Sequence, residues 1–106
     1  MPHEIIMLHE SSNIQIYKCK CCNHYNLNYR NLFLAFSRKE FKGFYKILSR
    51  LRPEHFTCIH PEGLKAIVSH SKYPGGMGFT EEEVTSILSQ IEEAMMMEEV
   101  QKTLTS

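Results

Sequence analysis

The stretch YNLNYRNLFLAFSRKEF, residues 25–41, constrains the fold of this chain more than any other. Tyr25, Leu27 and Tyr29 alternate with Asn26, Asn28 and Arg30, the period-two pattern of a half-buried strand. Asn31 tolerates the left-handed conformation of a turn, and the apolar run LFLAF (32–36) follows as a second strand. Ser37 then stands as an N-cap with Glu40 three residues on, the pattern of a capping box. Phe36 and Phe41 flank the cap as a hydrophobic staple. Phe41, Phe44, Tyr45, Leu48 and Leu51 recur at helical spacing, and Pro53 ends the helix near residue 51.

Two further strands precede this unit, in EIIMLHE and NIQIYKC. A second capped helix follows it. FTEEEV (79–84) repeats the logic of FSRKEF: Phe79 staples to Val84, Thr80 caps and Glu83 closes the box. Val84, Ile87, Leu88, Ile91 and Met95 form the apolar stripe. Before it, GLKAIVSHS (63–71) and GMGF (76–79) flank the turn-rich YPGG (73–76). Each half therefore reads strand, turn, strand, helix, whether as a true internal repeat or as two instances of a common junction. The expected architecture is a single α+β domain over residues 1–106. A mainly antiparallel sheet of five or six short strands carries both amphipathic helices.

A chain of 106 residues fits one core, and 42% apolar with 23% charged residues is a globular mixture. No apolar run approaches the length of a membrane span, and MPHEIIMLHESSN lacks the parts of a signal peptide. A cytoplasmic setting with reduced cysteines is expected. The zero net charge hides an asymmetry. Residues 1–52 hold nine Lys/Arg against three Glu, residues 53–106 three Lys against nine Glu, so the halves carry +6 and −6. A basic half can bind nucleic acid. A basic surface beside its own acidic neighbour attracts polyanions poorly, however, and the aromatics of residues 33–45 fall on strand or helix stripe. Nucleic acid is therefore not an expected partner.

LFLAF is apolar on both faces and needs cover on both. A second copy of the chain would supply it, or EIIMLHE and the 52–63 loop would close over the far face. MMM (95–97) puts methionine on several faces of the second helix, which means either burial in a partner or a frayed end. These features point to a non-catalytic interaction or regulatory module that forms a homodimer.

CKCCNH, Cys19 to His24, is the stretch with chemistry. Cys19 and Cys22 have the Cys-x-x-Cys spacing of a zinc knuckle, with Asn23 suited to the turn behind the second thiolate. A closed zinc site needs two more ligands, and Cys58 with His60 is the available pair, His9 and His24 being substitutes. Cys21 lies between the two ligands and is expected to point the other way. A zinc-stabilised ribbon-like module is thus the alternative reading, against thiols that merely pack at a strand end. A redox Cys-x-x-Cys sits at a helix N-terminus, whereas HYNLNYR alternates as a strand. Cys58 lies between His55 and His60, but no oxyanion-hole motif, phosphate-cradling glycine run or nucleophile elbow accompanies them. No catalytic residue and no organic cofactor is expected.

A Cys-x-x-Cys closing an early strand, the hairpin NLNYRNLFLAF, a Ser-x-x-Glu-Phe helix and an FTEEEV-type helix together resemble a family of short bacterial proteins of unknown function. The resemblance covers about residues 13–100. It implies an α+β fold and a bacterial cytoplasmic setting, and brings no catalytic residues with it.

Overall fold

A computed structural model describes residues 4–69 and 75–105. Strands β1 (Ile5–Glu10), β2 (Ile14–Cys19), β3 (Tyr25–Tyr29) and β4 (Leu32–Phe36) form an antiparallel meander in chain order. Helix α1 (Arg38–Ser49) follows, then one turn of 3-10 helix at Pro53–His55. Strands β5 (Lys65–Val68) and β6 (Met77–Thr80) form a second antiparallel pair, and α2 (Glu81–Thr105) completes the chain. The α+β class and the six short antiparallel strands are as expected, but the strands divide into a sheet of four and a sheet of two. Cys58 extends the small sheet through a bridge to Lys65. Tyr73 and Pro74 of the anticipated turn, and His70 and Ser71 before them, lie outside the described residues.

Both helix starts have the anticipated reciprocal caps. The Ser37 hydroxyl accepts from the Glu40 amide while the Glu40 carboxylate accepts from the Ser37 amide, at 3.1 and 2.8 Å. Thr80 and Glu83 repeat this at 3.2 and 3.0 Å. Each box satisfies two amide donors that a helix start leaves unpaired. The staple residues Phe36 and Phe41 are buried with ring centroids 5.8 Å apart, and Phe79 and Val84 are both buried.

The pleat sorts the four-stranded sheet into two unlike faces. Ile14 and Ile16 of β2, Tyr25, Leu27 and Tyr29 of β3, and Leu34 and Phe36 of β4 are buried against the helices. They join Phe41, Phe44 and Leu48 of α1 and Val84, Ile87, Ile91 and Ala94 of α2 in one core. A bulge between Met7 and His9 in β1 shifts the register, so that His9 falls opposite Ile16 on the inner face.

The β3–β4 hairpin departs from expectation in one residue. The left-handed position is Arg30 (φ 53°), not Asn31. A two-residue hairpin loop matches the twist of its strands when its first residue has positive φ, which places the demand on Arg30. Three contacts hold Arg30 there. Its guanidinium lies 3.4 Å from Glu83 and 3.5 Å from Glu62, and it stacks over the Tyr29 ring at 5.4 Å.

Helix α2 crosses the inner face and is tied to β3 near its start and again about two turns before its end. The Tyr29 hydroxyl donates to Glu83 at 2.7 Å near the start of the helix, and the Tyr25 hydroxyl donates to Glu98 at 2.5 Å four turns later. Lys18 pairs with the same Glu98 at 3.2 Å. Between them His9 faces Gln90 and Glu93 at 2.8 and 3.1 Å, and Tyr45 of α1 donates to Glu92 at 2.6 Å. The charge asymmetry of the halves is thus resolved partly inside the chain, by Lys18 and Arg30 of the basic half meeting Glu98, Glu83 and Glu62 of the acidic half.

Candidate functional site

The turn between β2 and β3 is a compact cluster of sulfur. The Asn23 amide donates to the Cys19 carbonyl at 3.1 Å, the Cys19 amide to the His24 carbonyl at 2.9 Å, and Asn23 takes the left-handed conformation (φ 55°). Asn is among the few residues that enter that region cheaply, so the sequence supplies the residue the turn needs. The tight turn brings three thiol side chains together. The sulfurs of Cys19, Cys21 and Cys22 all lie within 4.8 Å of one another, with Cys19 Sγ and Cys21 Sγ 3.1 Å apart.

This corrects the expectation for Cys21, which joins the cluster and does not point away from it. It also separates the ligand set anticipated from sequence. Cys19 and Cys22 come together, but Cys58 and His60 are not part of the cluster. Cys58 is paired to Lys65, whose ammonium meets Glu62 at 3.2 Å, and Glu62 in turn meets Arg30. That is the Arg30 end of β3, while the thiols sit at the opposite end, beyond Tyr25. Five residues of strand place the two groups roughly 15 Å apart. His60 accepts from the Glu62 amide, and His55 accepts from the Arg52 amide. His9 is engaged with α2, and His24 contributes its carbonyl to the turn.

Proximity alters the thiols. Hydrogen bonds from the Cys22 and then the Cys21 thiol hold Cys19 down to about 6, against the opposing effect of burial and with help from the Cys22 and Cys21 amides. Cys21, which donates to Cys19, is pushed up to about 11, burial and the charges of Cys19 and Cys22 adding to the shift. A low thiol pKa therefore arises without a helix N-terminus, from neighbouring thiols that solvate the first thiolate. Titrated by ultraviolet thiolate absorbance, the protein should ionise one thiol per chain with a midpoint near 6. In Cys22→Ala that midpoint should move toward the ordinary cysteine range, since the largest stabilising donor is removed. An unmoved midpoint would remove this account of the site.

The second feature is the outer face of the four-stranded sheet. Cross-strand rows place Met7, Tyr17, Asn26 and Ala35 side by side, and Glu10, Gln15, Asn28 and Phe33 beside them. Glu10 is the one charge among these positions. Phe33 is 71% exposed, Ile5 51% and Met7 39%. Neither β1, which is a strand of this sheet, nor the 52–63 loop covers Phe33. Among the described residues nothing covers the apolar far side of LFLAF at Phe33. The end of α2 is also open: it continues as regular helix to Thr105, Met95 packs on the core, and Met96, Met97, Val100 and Leu104 are exposed. The outward face of α1 carries Arg38, Lys39, Lys42, Lys46 and Arg50, whereas Phe41 and Phe44 of the same helix are core residues and offer no stacking platform.

Among the described residues no helix is long and apolar enough to cross a membrane. No curated protein sequence and no solved structure matches the chain. One family model does, described as a family of unknown function (DUF6686), over residues 1–66. The match takes in the whole four-stranded sheet, α1, and all four cysteines, and ends inside β5. Covering more than half of the sequence, it establishes that the chain belongs to the DUF6686 family of unknown function.

Proposed function

We propose that the protein is a non-catalytic interaction module of the bacterial cytoplasm that pairs with a second copy of itself through the outer face of the four-stranded sheet. The observation that carries this reading is the composition of that face. In a chain with 23% charged residues, its rows hold one charge, Glu10 at a corner, and expose Phe33, Ile5 and Met7 among Asn, Gln and Tyr. Depletion of charge with enrichment of aromatic residues and Met is the compositional mark of an interface core. A two-fold pair places each patch against itself, and a patch whose single charge lies at a corner meets its own copy with little repulsion. The absence of stacking aromatics on the basic face of α1 supports a reading without nucleic acid.

Sedimentation equilibrium at micromolar concentration tests the pairing. The wild-type chain should have twice its sequence mass, and the dimer should be indifferent to added salt, because its contact is apolar and amide-based and not ionic. Phe33→Asp should be monomeric with an unchanged far-ultraviolet spectrum, since the side chain contributes little to the core. Val100→Asp, on the exposed end of α2, should remain dimeric. A wild-type monomer sinks the proposal. Dissociation by Val100→Asp with Phe33→Asp still dimeric would move the contact to the helix end.

A further inference from the structure

We infer that Cys19, Cys21 and Cys22 form a three-thiolate site for a single thiophilic d10 cation, Zn²⁺ or Cu⁺, at the tip of the β2–β3 turn. The geometry carries this. Three sulfurs from a four-residue segment converge to within 4.8 Å of one another. A metal bound at about 2.3 Å from each sulfur in a tetrahedral arrangement needs sulfurs about 3.8 Å apart, and three sulfurs that all lie within 4.8 Å of one another are close to that spacing. The closest pair, at 3.1 Å, has to open by less than an ångström. Cys21 and Cys22 are exposed at the surface, so an ion can enter, while Cys19 is buried and anchored in β2.

Soft thiolate donors select Zn²⁺ and Cu⁺ over hard cations such as Mg²⁺ and Ca²⁺. A disulfide is the competing use of two adjacent thiols, but it would engage two of the three and leave the convergence of the third without purpose. The site differs from the ligand set suggested by spacing alone. Cys21 replaces Cys58 and His60, and the fourth position faces solvent. The inference does not depend on the pairing proposed above, because every ligand comes from one turn of one chain.

The test is a titration of the reduced, metal-free protein with Zn²⁺ and, anaerobically, with Cu⁺, each against a competing chromophoric chelator, with Mg²⁺ as the hard-ion control. One equivalent per chain should bind at submicromolar concentration, and Mg²⁺ should not compete. Cys21→Ser and Cys22→Ser should each weaken binding by at least about tenfold, while Cys58→Ser should bind as wild type. Bound metal should raise the denaturant midpoint of the wild-type chain, a readout that needs no variant to fold, because a ligand that favours the native state stabilises it by mass action. Failure of the wild type to bind either ion at micromolar concentration would overturn the site. So would wild-type affinity in Cys21→Ser, or an equal loss in Cys58→Ser.

Discussion

Phe36→Ala should lower the stability of the fold by about 3–5 kcal/mol, the range for truncating a fully buried aromatic side chain. Phe36 is 1% exposed and sits at the junction of the sheet with the first helix. Its ring lies 5.1 Å from Phe44 and 5.8 Å from Phe41, and Phe41 in turn stacks on Tyr25 at 4.9 Å with an interplanar angle of 4°. Truncation removes the ring from water-excluded contact with Phe41 and Phe44 and leaves a cavity that capped helix and paired strand cannot both collapse into. Phe33→Ala, three residues earlier on the same strand, should change the stability of the monomer by less than about 0.5 kcal/mol. The comparison is internal: same residue type, same strand, opposite faces of the pleat. Guanidinium unfolding of the two variants, at a concentration where the wild type is monomeric, separates them. Comparable losses would mean that the face assignment of β4 is wrong.

That pair also marks what could be read from sequence. The alternation Tyr25, Leu27, Tyr29 and the boxes Ser37/Glu40 and Thr80/Glu83 are local signals. Each is decided within a few residues, and the strands and helix starts follow them. LFLAF carried no alternation, so the sequence required cover on both faces but could not say whether the chain would supply it. The division of the strands into two sheets depends on where β5 and β6 dock after α1, a long-range outcome with no local signature. The thiol cluster was half legible. Cys19, Cys22 and the turn residue Asn23 follow from spacing. That Cys21 joins the cluster depends on how tightly the turn closes, and that Cys58 and His60 lie at the far end of β3 depends on the meander. The anchoring of α2 was present only as the opposite charge of the two halves. Which Glu meets which partner is set by the tyrosines on the buried face of β3, a pairing that periodicity marks as core and not as polar.

Glu98→Ala should cost about 2–3 kcal/mol at neutral pH, the scale of losing hydrogen bonds to a charged group and leaving buried partners unpaired. The Glu98 side chain is 13% exposed and accepts from the Tyr25 hydroxyl and the Lys18 ammonium. Burial works against its ionisation, but those two donors outweigh it and hold the carboxyl below the usual range. Glu83 is in the same position, with burial opposed by the Thr80 amide, the Tyr29 hydroxyl and Arg30. A carboxylate with a depressed folded-state pKa contributes stability that is present above its unfolded pKa and is lost as pH falls through its folded one. The loss should therefore lie below about pH 4.3, the unperturbed glutamate value, and not in the neutral range. The tyrosines set the opposite limit. Burial and then the adjacent carboxylates push Tyr25 and Tyr29 up to about 12, so their contribution is complete below their ordinary pKa near 10 and is lost as pH rises toward 12. The part of the stability that these clamps on α2 supply should be constant between those limits, with an acid and an alkaline shoulder beyond them. Tyr25→Phe should remove part of the alkaline shoulder at a cost of about 1–1.5 kcal/mol, smaller than Glu98→Ala because Lys18 still engages the carboxylate. Denaturant midpoints measured across pH for wild type, Tyr25→Phe and Glu98→Ala decide it. An acid shoulder unchanged in Glu98→Ala, or a Tyr25→Phe loss equal to that of Glu98→Ala, would show that α2 is held by its apolar stripe alone.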